Sequence, residues 1–345
     1  GDTALDSVQS AGTYNTAIGH NALTANTTAT NNTSVGAFSL GSNTTGEANT
    51  AVGLAALDAN TTGSNNVGLG RDALGANTTA SNNTAVGYQA GYNHTGASNL
   101  FTGAYAGYHT TTGTNNTYLG MSAGPNVSAS TGSYNTAIGN GSLLSNTTAD
   151  ANTAVGYHAG YSNTTGSPVT AMGYYTLDQN TTGVHNNAYG YRAMRFNTTG
   201  GYNTALGGDA LYSNTTANAN TAVGYQSLND NTTGAANTAL GYFALTNNTT
   251  AQKNVAVGVE TLENNTTGNF NTGLGTQALR SNTTASNNTA VGYQASYSNT
   301  TGTGNTSLGY VSLFGNTTGN YNTVSGWGGL SSNTTGSNNS AFGYQ

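Results

Sequence analysis

One pentapeptide recurs along the whole chain and restricts what the chain can fold into more than any other feature. It reads Asn-Thr-Ala-Val/Ile-Gly, as at residues 15–19 and 49–53, with a Ser variant at 32–36. Its closing glycine stands at positions 19, 36, 53, 70, 87, 103, 120, 139, 156, 173, 190, 207, 224, 241, 258, 275, 292, 309, 326 and 343. The spacing is 17 residues at every step except 87 to 103, which is 16, and 120 to 139, which is 19. Counted from its first Asn, the unit is Asn-Thr-Ala-Val-Gly-Tyr-x-Ala-Leu-x-x-Asn-Thr-Thr-Gly-x-x, and positions one to seventeen below refer to it. Self-similarity at a fixed period outranks any local motif as a guide to architecture.

Seventeen residues are too few for the helix pairs of α-solenoids, which take 30 or more. The unit also lacks the apolar i, i+3, i+4 pattern of a helix and is rich in poor helix formers. Two extended segments joined by turns fit instead, with Gly and Asn supplying the turn conformations at low steric cost. Each repeat is then one coil, and coils stack in parallel at ~4.8 Å. The expected fold is all-β, a parallel β-solenoid (β-roll) of about 20 coils, roughly 95 Å long on that spacing. Residues 1–345 form a single repeat domain, with irregular coils at 88–103 and 121–139 and no recognisable caps.

Composition becomes intelligible on this basis. The chain has 345 residues, 50 of them Gly, no Cys, two Pro and 5% charged residues. Without a repeat, such a composition reads as disordered. A solenoid needs only a thin core repeated along its axis. Position four (Ile18, Val35, Val52, Leu69, Val86, Ile138, Val155, Met172, Leu206, Val223) is expected to point inward. Position two shares that face by strand alternation, since its Thr is replaced by Val67, Leu100 and Val255. Position nine adds Leu23, Leu40, Leu57, Leu74, Leu177, Leu211, Leu228, Leu245, Leu262, Leu279, Leu313 and Leu330, beside a small residue at position eight.

Three polar or aromatic columns follow from the stacking. Asn holds position one in 19 of the 20 motifs, the exception being Val169. The column that includes Asn15, Asn32, Asn49, Asn66, Asn83, Asn135 and Asn152 is expected to form a structural amide ladder from coil to coil. A second Asn column opens the Asn-Thr-Thr triplets at Asn26, Asn43, Asn60, Asn77, Asn146, Asn163, Asn180, Asn197, Asn214, Asn231, Asn248, Asn265, Asn282, Asn299, Asn316 and Asn333. It is either a second ladder or a set of N-glycosylation acceptors, because each triplet satisfies N-x-[ST]. Its threonines are equally acceptors for O-linked sugars. Position six carries Tyr88, Tyr157, Tyr174, Tyr191, Tyr225, Tyr242, Tyr293, Tyr310, Trp327 and Tyr344, a candidate aromatic ladder or an exposed stripe for sugars or another subunit. The two off-period coils replace the triplet with Asn93-His94-Thr95 and Asn126-Val127-Ser128, read as local bulges or partner contacts.

Much is excluded. His20, His94, His109, His158 and His185 fall at scattered repeat positions, and the eleven acids are dispersed. No zinc motif, Walker loop or nucleophile elbow is present, so no enzyme, metal or cofactor is expected. A net charge of −6 with five basic residues (Arg71, Arg192, Arg195, Lys253, Arg280) does not suit a nucleic-acid groove. No run of ~18 apolar residues marks a membrane span, and no signal peptide is visible at Gly1.

The Asn-Thr-Ala-Val/Ile-Gly anchor followed by a small residue resembles the Ser-Val-Ala-Ile-Gly type repeat in the head domains of trimeric autotransporter adhesins. The strings at Thr84–Ala90 and Thr289–Ala295 are similar to repeats of phage tail-fibre-like proteins. That resemblance implies a left-handed parallel β-roll, trimerisation and attachment to extracellular matrix.

Three functions remain for the structure to weigh. The first is a structural extracellular fibre or surface-rod protein, self-associating end to end or laterally as a homo-oligomer, or part of a longer repeat chain, and carrying covalent glycans. The second is an adhesin or phage-type receptor-binding shaft that recognises glycan ligands at a cell surface or on a virion fibre. The third is an ice-binding β-solenoid, against which adjacent Thr-Thr residues count because neighbours in a strand face opposite ways.

Overall fold

In a computed structural model, which describes residues 3–5 and 12–345, the fold is an all-β parallel β-solenoid. Twenty short strands run from β1 (Thr16–Ile18) to β20 (Ser340–Phe342), one per repeat, and each carries the second to fourth positions. The chain divides into two compact units, Gly1–Ala171 and Met172–Gln345, and each is built the same way. Strand neighbours pair in parallel one repeat apart: β12 (Thr204–Leu206) on β13 (Thr221–Val223) aligns Thr204 with Thr221, Ala205 with Ala222 and Leu206 with Val223.

The core is the column at positions three, eight and nine. Ala205, Ala222 and Ala239 of position three are fully buried, as are Ala22, Ala56 and Ala73 of position eight. The position-nine leucines from Leu23 to Leu313 are likewise fully buried, and Leu330 is half-buried. Each such leucine contributes about 1.5–3 kcal/mol by leaving water. Positions four and two were expected inside and are found outside. Leu206 keeps 49% of its surface exposed, and Ile18, Val52 and Met172 are exposed too, while Val35, Leu69, Val86, Ile138, Val155 and Val223 are half-buried. Leu100 and Val255 of position two are exposed and Val67 is half-buried. The reason is the narrowness of the coil. A Cβ placed at Gly68 or Gly273, both in position three, would lie 3.3 Å from Leu57 or 3.5 Å from Leu262. With leucine reaching across from one wall, the facing strand carries Ala, Gly or Ser, except at Val324, which fits where position eight is Gly329, so the bulkier alternate residues turn outward.

Two local features hold each coil to the next. The anchor glycine adopts a φ near +130°, and a Cβ at Gly53 would meet the Gly70 carbonyl at 2.7 Å, so no side chain fits there. Left-handed backbone also occurs at positions seven, nine and seventeen, where residues other than Gly and Asn are common: Ala55 (φ 54°), Leu57 (φ 53°) and Asn65 (φ 59°). Each costs about 1–2 kcal/mol in isolation. Here each aims its N–H at a neighbouring coil: Ala55 donates to the Ala37 carbonyl at 2.9 Å, Leu57 to Ala73 at 3.0 Å and Asn65 to Glu47 at 2.9 Å. The turns therefore extend the inter-coil ladder beyond the strands.

Candidate interaction surfaces

Both Asn columns lie inside. Asn32, Asn49, Asn66, Asn83, Asn135 and Asn152 are fully buried, and Asn15 of the first coil is half-buried. Each Oδ1 accepts from the backbone N–H of position one in the next coil, as Asn49 does from Asn66 at 2.9 Å and Asn152 from Val169 at 2.8 Å. Its Nδ2 donates within its own coil, as from Asn49 to the Gly63 carbonyl at 2.8 Å, except at Asn152, where Nδ2 is buried without a well-aligned partner. The column is thus a side-chain-to-backbone ladder rather than a stack of amides alone. Such bonding pairs backbone groups that would otherwise be buried without partners.

The second column is the amide stack. Asn231 donates through Nδ2 to Oδ1 of Asn214 at 3.1 Å and to the Gly234 carbonyl at 3.0 Å, and its own Oδ1 accepts from Asn248 at 2.8 Å. From Asn26 to Asn316 the triplet asparagines are fully buried, and Asn333 is half-buried. A sugar on Nδ2 has no space in the folded coil, so the N-glycosylation expectation for this column is corrected. N-x-[ST] specifies an acceptor sequence but not the direction in which the Asn points. The first threonine of the triplet is also engaged, as where Thr61 Oγ1 donates to the Thr78 carbonyl at 3.1 Å. The second is exposed, at Thr45, Thr62 and Thr233.

The position-six rings are half-exposed and stack where they are consecutive. Tyr174 and Tyr191 lie 5.6 Å apart at 9°, and Tyr225 and Tyr242 lie 5.8 Å apart at 18°. Tyr293, Tyr310, Trp327 and Tyr344 form a run with centroid separations of 5.3, 5.7 and 4.7 Å. Stacked rings spend their faces on each other and offer edges to solvent. Tyr157 stacks on the adjacent His158 at 4.1 Å. Tyr88 is different, meeting Tyr105 edge-on at 87°. Tyr105 meets Tyr108 at 71°, Tyr92 stacks on Tyr108, and His109 stands edge-on to Tyr108, so coils five and six carry a cluster of rings in several orientations.

Coils five to seven have an inverted core. Leucine at position nine gives way to Gly91, Gly107 and Gly124, and alanine at position three gives way to Phe101 and Tyr118, which are fully buried. A Cβ at Gly91 or Gly107 would sit 2.5 Å from the Phe101 ring, and one at Gly124 would sit 2.3 Å from Tyr118. The bulk has moved from one wall to the other. Position twelve here is His94, Thr110 and Ser130, all buried. His94 takes the Asn place, its N–H reaching the Gly91 carbonyl at 3.0 Å as Asn60 reaches Leu57, so the shorter coil has lost one Thr rather than the whole triplet. In the longer coil Ser130, bridged to Thr110, takes the place, and the extra residues precede it. His94 Nε2 lies 2.8 Å from Asn99 Nδ2. Burial lowers its pKa from 6.5 to about 4. The Tyr118 hydroxyl is buried beside Thr110 and Asn135 without a well-aligned hydrogen bond, and burial pushes its pKa up. This exchange of bulk was legible as paired departures from the repeat, Ala to aromatic at position three and Leu to Gly at position nine.

Charged groups keep to the turns. Arg192 grips Asp209 with two bonds of 2.8 and 3.0 Å, and Arg280 lies 2.6 Å from Glu263 and 3.0 Å from Glu260. Among the described residues no group of three or more His, Cys, Asp or Glu is placed to hold a metal ion, and no helix is long and apolar enough to cross a membrane. A shallow groove of about 490 Å³ runs over Asn82, Ser98 and Asn115 beside Thr84, Leu100 and Thr117. No known protein family matches this chain, and no curated protein matches its sequence.

Proposed function

We propose that the chain is a structural component of an extracellular fibre or surface rod, working by assembly with copies of itself. The observation that carries this reading is the division of labour within the coil. The asparagine side chains are turned inward to join coil to coil, as in the Asn49–Asn66 and Asn214–Asn231 links. What faces out on most strands is instead a charge-free pair of positions, Thr and an aliphatic residue, repeated along the stack. Exposed apolar surface repeated on this scale is characteristic of interaction faces. Electron microscopy of native material tests the reading: filaments or bundled rods are expected, and isolated short particles at all concentrations would count against it. Within the same reading the hydroxyl open to O-linked decoration belongs to the second triplet threonine, such as Thr45, Thr62 and Thr233, which an intact-mass measurement on native protein checks.

A second reading, recognition of glycans by the shaft, is favoured by one place. At Tyr88 and Tyr105 the rings meet edge-on rather than stacking on each other, with the Arg71 guanidinium over the Tyr88 ring at 5.9 Å. A glycan array that gives hits with the full chain and loses them in Tyr105→Ala would favour it.

A further inference from the structure

The outward column at position four is not uniform. Through seven consecutive coils of the second unit it reads Leu206, Val223, Leu240, Val257, Leu274, Val291, Leu308, alternating at every step. Leu206, Leu240, Leu274 and Leu308 are exposed at 40–49%, whereas Val223, Val257 and Val291 are half-buried between them. On a stack spaced at ~4.8 Å this makes a row of protrusions and hollows with a period of ~9.6 Å. Neither position two nor position four of any strand holds Asp, Glu, Lys or Arg, so nothing charged interrupts the row.

We infer that this face pairs with the same face of a second copy of the chain. A two-fold axis lying in the interface and parallel to the strands keeps position four opposite position four while reversing coil order. Placed between two adjacent coils, it sets Leu240 against Val257, Val223 against Leu274 and Leu206 against Val291 of the second copy. Every protrusion then enters a hollow over six coils, and the contact is self-complementary, as a two-fold homodimer requires. Interdigitation of side chains repeating at strand spacing is the geometry of a steric zipper. A partner must share the 9.6 Å period to fill the row, and an identical face does. The matched row extends over six coils, roughly 29 Å of the stack at ~4.8 Å per coil.

The inference rests on the self-assembly reading above, and its test separates the two. Sedimentation velocity on the full chain between ~1 and ~100 µM is expected to show dimers or larger species. The deciding variant is Val223→Leu, Val257→Leu, Val291→Leu, which fills the hollows and raises exposed apolar area. Because these side chains face outward, an unchanged circular dichroism spectrum is expected, and it serves as the check on folding. Zipper pairing predicts at least tenfold weaker association, whereas a nonspecific apolar patch would associate more strongly. Leu206→Lys with Leu240→Lys and Leu274→Lys is expected to give monomers, while Thr233→Lys with Thr250→Lys and Thr267→Lys, on the turn, is expected to leave association intact. Stronger or unchanged association of the all-Leu variant overturns the pairing. So does a wild-type chain that stays monomeric, and one that also produces thermal hysteresis would assign the face to ice. Filaments of the all-Leu variant indistinguishable from wild type would sink this pairing and leave the fibre reading standing.

Discussion

At the residue scale, asparagine carries more of the structure than any apolar side chain. Asn231 satisfies three buried partners at once: Asn214, the Gly234 carbonyl and Asn248. Its removal leaves an unpaired buried acceptor on Asn214 and one unpaired N–H on Asn248, while the Gly234 carbonyl keeps its bond from Asn220. Each unsatisfied group costs about 1–3 kcal/mol. Asn231→Ala is therefore expected to lower stability by about 3 kcal/mol or more, against less than about 0.5 kcal/mol for the exposed Thr233→Ala. Urea titrations followed by circular dichroism check the contrast, and equal effects would show that the amide stack is dispensable. The two Asn columns were legible as columns because position one is Asn in 19 coils. Their inward direction was not, since Asn is ordinarily a surface residue.

At the scale of the element, a coil tolerates changes that preserve its internal volume. Leucine at position nine and aromatics at position three are alternative fillings, and Phe101 between Gly91 and Gly107 is the clearest case. The price of this inverted stretch is His94, held neutral by burial with a pKa lowered to about 4. The unfolded chain takes up a proton near pH 6.5 and the folded one does not until about pH 4. The stability of the first unit is thus fully present above pH 6.5 and falls as pH drops through that window. At about 1.4 kcal/mol for each pH unit, the loss approaches 3 kcal/mol. Asp58 and Asp230, whose pKa values burial raises, act in the opposite sense. The check is the difference between wild type and His94→Asn in midpoint against pH, which should grow from pH 7 to pH 4. A difference that stays constant would refute the assignment. The sequence marked this stretch by its 16- and 19-residue spacings, but naming the displaced triplet residues required the backbone register.

At the scale of the molecule, stability in each unit is a sum over coils and their neighbours, as in other repeat proteins. Electrostatics contributes little to that sum. The chain has 16 charged side chains by its five basic and eleven acidic residues, and most of its ion pairs sit on partly exposed turns, such as Arg280 with Glu263. Exposed pairs contribute ~0–1 kcal/mol and are screened by salt. Raising NaCl from 0.05 to 1 M should move the unfolding free energy by less than about 1 kcal/mol, while association through the apolar face should hold or strengthen. A stability loss of several kcal/mol in high salt would contradict a fold held by buried amides and a leucine column.

Periodicity alone determined that this chain is a β-solenoid, because 17 residues rich in Gly and Asn leave no other unit that stacks. It also identified position nine as core, since leucine recurs there beside a small residue. Tertiary structure decided which strand face points inward. Alternation makes positions two and four partners on one face, but a three-residue strand is compatible with either side. The choice falls to whatever fills the opposite wall, and leucine at position nine leaves space for small residues such as alanine, glycine or serine. Turning the strand over places Leu206, Val223 and their successors at the surface, where the face they form is available to a second chain.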